Sequence, residues 1–109
     1  MKRAVETPGP AFVNVLVPCP LFWKIDPANQ MEICQLAVDS KFWPVYEVAN
    51  GEYSLSYEPK NPRRLEDFLR AQGRYAHLFK KGAERLDLVE AAQRDADESW
   101  ARLLKKCGR

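Results

Sequence analysis

The feature that most constrains this chain is the run Ala11 to Val17, AFVNVLV, closed by Pro18-Cys19-Pro20. Only Asn14 interrupts the apolar side chains, so an extended segment here would need cover on both faces, as in the interior of a parallel sheet. Proline cannot donate to a ladder, so Pro18 and Pro20 end the strand. That places Cys19 just past a strand's C-terminal edge, where open α/β sheets hold their ligands.

The remaining elements follow from local chemistry. Asp26-Pro27 reads as a helix start, with aspartate as N-cap and proline in the first turn. Met31, Ile33, Cys34, Leu36, Ala37 and Val38 give that helix an apolar face up to Lys41. Asn50-Gly51 joins two alternating runs, Pro44 to Val48 and Tyr53 to Tyr57, and predicts a β-hairpin because both turn residues accept positive φ. Glu58 to Arg64 is a polar, proline-containing linker. Leu65, Phe68 and Leu69 predict a short helix ending near Gly73. From Gly82 onward, Leu86, Val89, Gln93, Ala96, Trp100, Leu103 and Cys107 recur every three or four residues, the stripe of a long amphipathic helix. The fold class expected is therefore α/β: one buried strand, a covering helix, a β-hairpin, then two helices.

Composition narrows the function classes. At 109 residues and 46% hydrophobic content the chain suits one small domain. A net charge of +2 is no nucleic-acid footprint without clustering on one face. Three cysteines at wide spacing argue against a disulfide framework and fit a reducing cytoplasm. No apolar core of signal-peptide length follows Met1, and Ala11 to Pro20 is too short to cross a bilayer. No P-loop, dinucleotide fingerprint or HExxH pattern occurs.

Cys19 is the leading candidate for chemistry. The commoner fate of a free cysteine is a small buried hydrophobe, but two flanking prolines stiffen the loop and pre-orient the thiol as a metal ligand requires. A cubane cluster needs four ligands. Cys34 falls on the apolar face of its helix and reads as core, and Cys107 reads as a helix-face or exposed thiol. His77, the one histidine, lacks an evident orienting partner and reads as structural. Arg70, Arg74, Lys80 and Lys81 read as solvated helix ends, with salt-dependent nucleic-acid binding as the weaker alternative. Glu66-Asp67 and Asp97-Glu98 lie on different azimuths and make poor catalytic pairs.

The strings GPAFVNVLVPCPLFW (Gly9 to Trp23), FWPVYEVANG (Phe42 to Gly51) and FLRAQGRYAHL (Phe68 to Leu78) occur in an order that carries more than local physics. Together they closely resemble the C-terminal part of the β subunit of pyruvate synthase (pyruvate:ferredoxin oxidoreductase), in the 2-oxoacid:ferredoxin oxidoreductase family. The resemblance implies a thiamine-diphosphate-binding fold and divides the chain at residue 80. Residues 1–80 would be the C-terminal segment of the thiamine-diphosphate and iron–sulfur subunit, and 81–109 an amphipathic helical tail.

In that family the subunit binds thiamine diphosphate with Mg²⁺ and carries a [4Fe–4S] cluster. A Cys-x-x-Cys pair, a third cysteine and a distant cysteine in the PCP loop ligate the cluster, and Cys19 matches the last of these. The other three cysteines and the Gly-Asp-Gly…Asn stretch for the diphosphate have no counterpart in this sequence. The resemblance thus implies no cofactor and no turnover in the isolated chain, and no catalytic or cofactor-binding residue of its own. The partners it implies are the remainder of the β subunit, the other oxidoreductase subunits, ferredoxin and coenzyme A, with self-association also open. Membranes and nucleic acids are not expected partners. The alternative is a non-catalytic interaction module that kept the fold and docks through its last helix.

Overall fold

A computed structural model describes all 109 residues, Met1 to Arg109. In chain order the elements are helix α1 (Lys2–Glu6), the single turn α2 (Pro20–Trp23), α3 (Gln30–Asp39), strands β1 (Tyr46–Ala49) and β2 (Glu52–Leu55), α4 (Leu65–Arg70) and α5 (Leu86–Lys106). Two 3-10 segments, Pro27–Asn29 and Gly73–Phe79, precede α3 and follow α4. The result is a mixed α and β arrangement whose only sheet is a two-stranded antiparallel hairpin.

The core sits where α3, α4 and α5 meet. Ile33, Leu36 and Ala37 from α3, Leu65, Phe68 and Leu69 from α4, and Val89 and Ala96 from α5 form one buried cluster together with Ile25. Phe68 lies at its centre, fully buried, with Phe42 tilted against it at 4.8 Å and Trp23 edge-on at 6.1 Å between ring centroids. Aromatic pairs in these orientations add to the area they bury. The amphipathic stripe of α5 is seen as expected at Val89, Ala96, Trp100 and Leu103, all buried. Its one polar member is explained too: Gln93 Oε1 accepts the Leu65 N–H at 2.8 Å and so satisfies an otherwise free donor at the start of α4. Leu86, at the first turn, is exposed instead.

The hairpin forms around the expected turn. Asn50 and Gly51 have φ of 52° and 79°, the left-handed pair of a type I′ turn. Tyr46 faces Leu55 and Val48 faces Tyr53 across the ladder. The far end of α5 closes on this hairpin, with Lys106 Nζ 5.2 Å from the Tyr53 ring centroid. Asp26 caps as expected, its Oδ1 accepting the Ala28 N–H at 2.9 Å, although the first turn is 3-10 and the α-helix begins at Gln30.

Three expectations are corrected. Ala11 to Val17 joins no sheet, and apart from half-buried Leu16, which packs against the core, it is exposed: Phe12 is 89% exposed, Val15 64% and Val17 68%. An apolar strand of this kind needs partners on both edges and layers on both faces, and both strands of the chain are already paired with each other. For the same reason α3 does not cover a strand but packs on α4. The short helix also stops earlier, at Arg70, and Gly73 is not its left-handed cap. Gly73 opens the next 3-10 segment, and its role lies in a close backbone approach described below.

Candidate cofactor-ligand turn around Cys19

Cys19 sits between the largely uncovered Ala11 to Val17 segment and the buried core. Its backbone is extended (φ −93°, ψ 115°), and it occupies the N-cap position of α2, with Pro20 opening the turn. The Cys19 carbonyl accepts the Trp23 N–H at 2.9 Å, and the Pro20 carbonyl accepts the Ile25 N–H at 3.1 Å. Upstream, Pro18 is buried and its carbonyl accepts from Gln30 Nε2 at 2.9 Å. The half-buried thiol is free of any disulfide. Leu21 and Phe22, which follow it, are both 77% exposed.

The turn ends on Lys24, whose φ of 52° and ψ of 58° put a non-glycine residue in the left-handed region. Here the second motif segment arrives. Gly73 donates its N–H to the Lys24 carbonyl at 3.0 Å. A Cβ on Gly73 would lie 2.7 Å from Lys24 Cβ and 2.8 Å from Lys24 O, so only glycine fits without a shift.

The neighbours of Gly73 complete the brace. Gln72 is buried and fully satisfied: Nε2 donates to the Phe68 carbonyl at 2.7 Å and Oε1 accepts from Arg74 Nε at 2.6 Å. The Arg74 guanidinium carbon lies 3.9 Å from the Trp23 ring centroid and 4.8 Å from that of Tyr75. Arg74 is thus neither a solvated helix end nor a member of any ion pair. Sequence reasoning missed both Gln72 and Arg74 as parts of this turn. The available signal was their place beside a glycine that ends no helix.

The other candidates are dispersed. Cys34 is half-buried on α3, Cys107 caps the end of α5, and His77 is exposed in the second 3-10 segment. Glu66 and Asp67 each pair with an arginine one helical turn away, Arg70 and Arg63 respectively, at 3.4 and 3.1 Å. Such exposed pairs contribute little. No group of three or more His, Cys, Asp or Glu side chains comes together as a metal site. The chain's own residues therefore do not fit a complete iron–sulfur centre; Cys19 offers one thiolate where four ligands are required.

No protein-family model matches the chain. Characterised relatives do. A pyruvate synthase subunit PorB from Thermotoga maritima is 36% identical over 104 residues, covering 95% of this chain and 32% of the relative. PorB from Methanosarcina barkeri is 41% identical over 93 residues, covering 84% of the chain and 31% of the relative. A ketoisovalerate oxidoreductase subunit VorB from Pyrococcus horikoshii is 36% identical over 107 residues, covering 96% and 32%. The chain is similar to one part of the PorB and VorB subunits. It spans about one third of the length of the relatives it matches. The resemblance read from the PCP and AQGRY strings, to part of a pyruvate synthase β subunit, is therefore shown, and in the PorB/VorB-like chain those two strings are in direct contact. No helix is long and apolar enough to cross a membrane.

Proposed function

We propose that this chain supplies the Cys19-bearing, C-terminal part of a 2-oxoacid:ferredoxin oxidoreductase β subunit. The reading rests on one observation above the others: nearly the whole chain aligns with about a third of pyruvate synthase PorB. The bracing of the Cys19 turn by Gln30 and Gly73 supports it, because a ligand must be held in one orientation before the metal arrives. Cys19 serves as one ligand of a [4Fe–4S] cluster whose other ligands lie outside the chain. Bound thiamine diphosphate supplies the ylid chemistry of 2-oxoacid decarboxylation, and no residue of this chain is assigned to that chemistry. Other oxidoreductase subunits, ferredoxin and coenzyme A are the partners of the assembled enzyme, and its compartment is the cytoplasm.

Within that assembly the bare Ala11 to Val17 segment takes its place in a sheet completed by the rest of the subunit. Leu21 and Phe22 extend the same uncovered surface beyond the turn. This exposed apolar stretch is also what a non-catalytic docking module would show, and colour separates the two readings. Anaerobic co-purification with the neighbouring subunits should yield a brown, oxygen-sensitive complex. A colourless complex of the same subunits would support the module. In the brown complex, Cys19→Ala should remove or weaken the cluster spectrum, and an unchanged spectrum would sink the ligand assignment.

A further inference from the structure

The Gln72–Gly73–Arg74 segment touches the Cys19 turn at two chemically distinct points and is tied to the core at a third. Gly73 makes a backbone hydrogen bond to Lys24, Arg74 stacks on Trp23, and Gln72 ties Arg74 back to the Phe68 carbonyl within the core. Trp23 is the residue whose N–H closes the turn on the Cys19 carbonyl. Its ring is contacted by the Arg74 guanidinium and lies near-perpendicular to the Phe68 ring. Arg74 has no carboxylate partner, so its fixed position derives from the aromatic faces and the Gln72 amide alone.

From this we infer that Arg74 is a positioning residue, the pin of a latch that fixes the Pro18–Lys24 turn and with it the Cys19 thiol. The inference deepens the proposed ligand role of Cys19 and takes its importance from it, but the latch is a property of this chain alone. A guanidinium suits the task better than an ammonium. Its plane lies flat on an indole face while its edge still donates in a fixed direction, here to Gln72.

The latch is tested on the 109-residue chain by peptide-resolved alkylation, with Cys34 and Cys107 as internal references. Arg74→Ala should raise the Cys19 alkylation rate by roughly tenfold, as expected for losing one cation–π contact and one hydrogen bond from the closed turn. Cys34, on core helix α3, should stay within about twofold of its original rate, since local opening leaves the core closed. Removing a cation would lower rather than raise the thiolate fraction of a nearby cysteine, so a rise reports conformation and not charge. Arg74→Lys should restore part of the protection. An unchanged Cys19 rate would overturn the latch, as would a parallel rise at Cys19 and Cys34, which marks loss of global stability only. The ligand reading fails separately, through the cluster spectrum of Cys19→Ala.

Discussion

Gly73 and Lys24 meet backbone to backbone: the Gly73 N–H lies 3.0 Å from the Lys24 carbonyl, at the point where Lys24 turns left-handed. Forty-eight residues of chain, with the hairpin and two α-helices, lie between the two. Their contact is the seam between the turn that carries Cys19 and the segment that leaves α4. Any side chain at position 73 must displace the Lys24 backbone oxygen, which cannot rotate away as a flexible side chain would.

Gly73→Ala should therefore destabilise the chain by about 1–3 kcal/mol, the usual cost of forcing extra atoms into a filled site. Urea denaturation followed by tryptophan fluorescence measures it. In a Lys24→Gly background the Cβ–Cβ clash disappears while the clash with the carbonyl stays. The double mutant should then be less destabilised than the sum of the two changes. Strict additivity would mean that the two residues do not share the contact.

Phe68 anchors the same seam from below, with both Trp23 and Phe42 on its ring. Phe68→Ala should cost about 3–5 kcal/mol and bring the chain close to unfolding, given the small margin of a domain this size. Circular dichroism against temperature would show it as a broad, early loss of helix. A midpoint unchanged within a few degrees would contradict the placement of Phe68 at the core's centre.

How much of this was legible beforehand depends on what each residue needs from the rest of the molecule. Asn50-Gly51 states its turn locally, through two residues that tolerate positive φ, and the structure agrees. The α5 stripe likewise carries its own period, and Gln93 within it fits once its bond to the Leu65 N–H is seen. Ala11 to Val17 announces a strand with two covered faces, but the cover is not encoded in these residues, and the segment lies bare. The seam was hidden for another reason. Gly73 reads as a helix cap because caps are the common use of glycine near a helix end. Nothing in the sequence says that its missing Cβ is needed by Lys24.

An acid-sensitive pair marks the start of α5. Arg85, the residue before the helix, donates twice to Asp87 in its first turn, at 3.0 and 3.1 Å. These hydrogen bonds, with a smaller Coulomb contribution, hold the Asp87 carboxyl below its ordinary range and raise Arg85. A depressed carboxyl stabilises the fold above its unfolded pKa and loses that contribution as pH falls through its folded one. Asp87→Asn should lower stability slightly at neutral pH and converge with the parent in acid, which flattens the acid side of the stability–pH curve; the effect is small because both groups are exposed. A curve identical to the parent's between pH 5 and 2, set by the carboxylate range, would show that the pair is inert.

The uncovered strand makes an association prediction. Phe12, Val15 and Val17 together form an exposed apolar stretch with free backbone donors and acceptors, the usual template for edge pairing. At micromolar concentration the isolated chain should sediment as dimers or larger species. Val15→Lys should shift it toward the monomer. A parent chain that sediments as a single monomer would refute the idea.

That same segment gives the chain a built-in reporter. A backbone stretch without ladder bonds and with little cover fits readily into a protease cleft. Cutting near Phe12 to Val17 should be fast while the strand is bare and slow once a neighbouring strand pairs with it. Digestion kinetics at this one place would therefore time the docking of the chain into a larger sheet, with no label and no cofactor needed to see it.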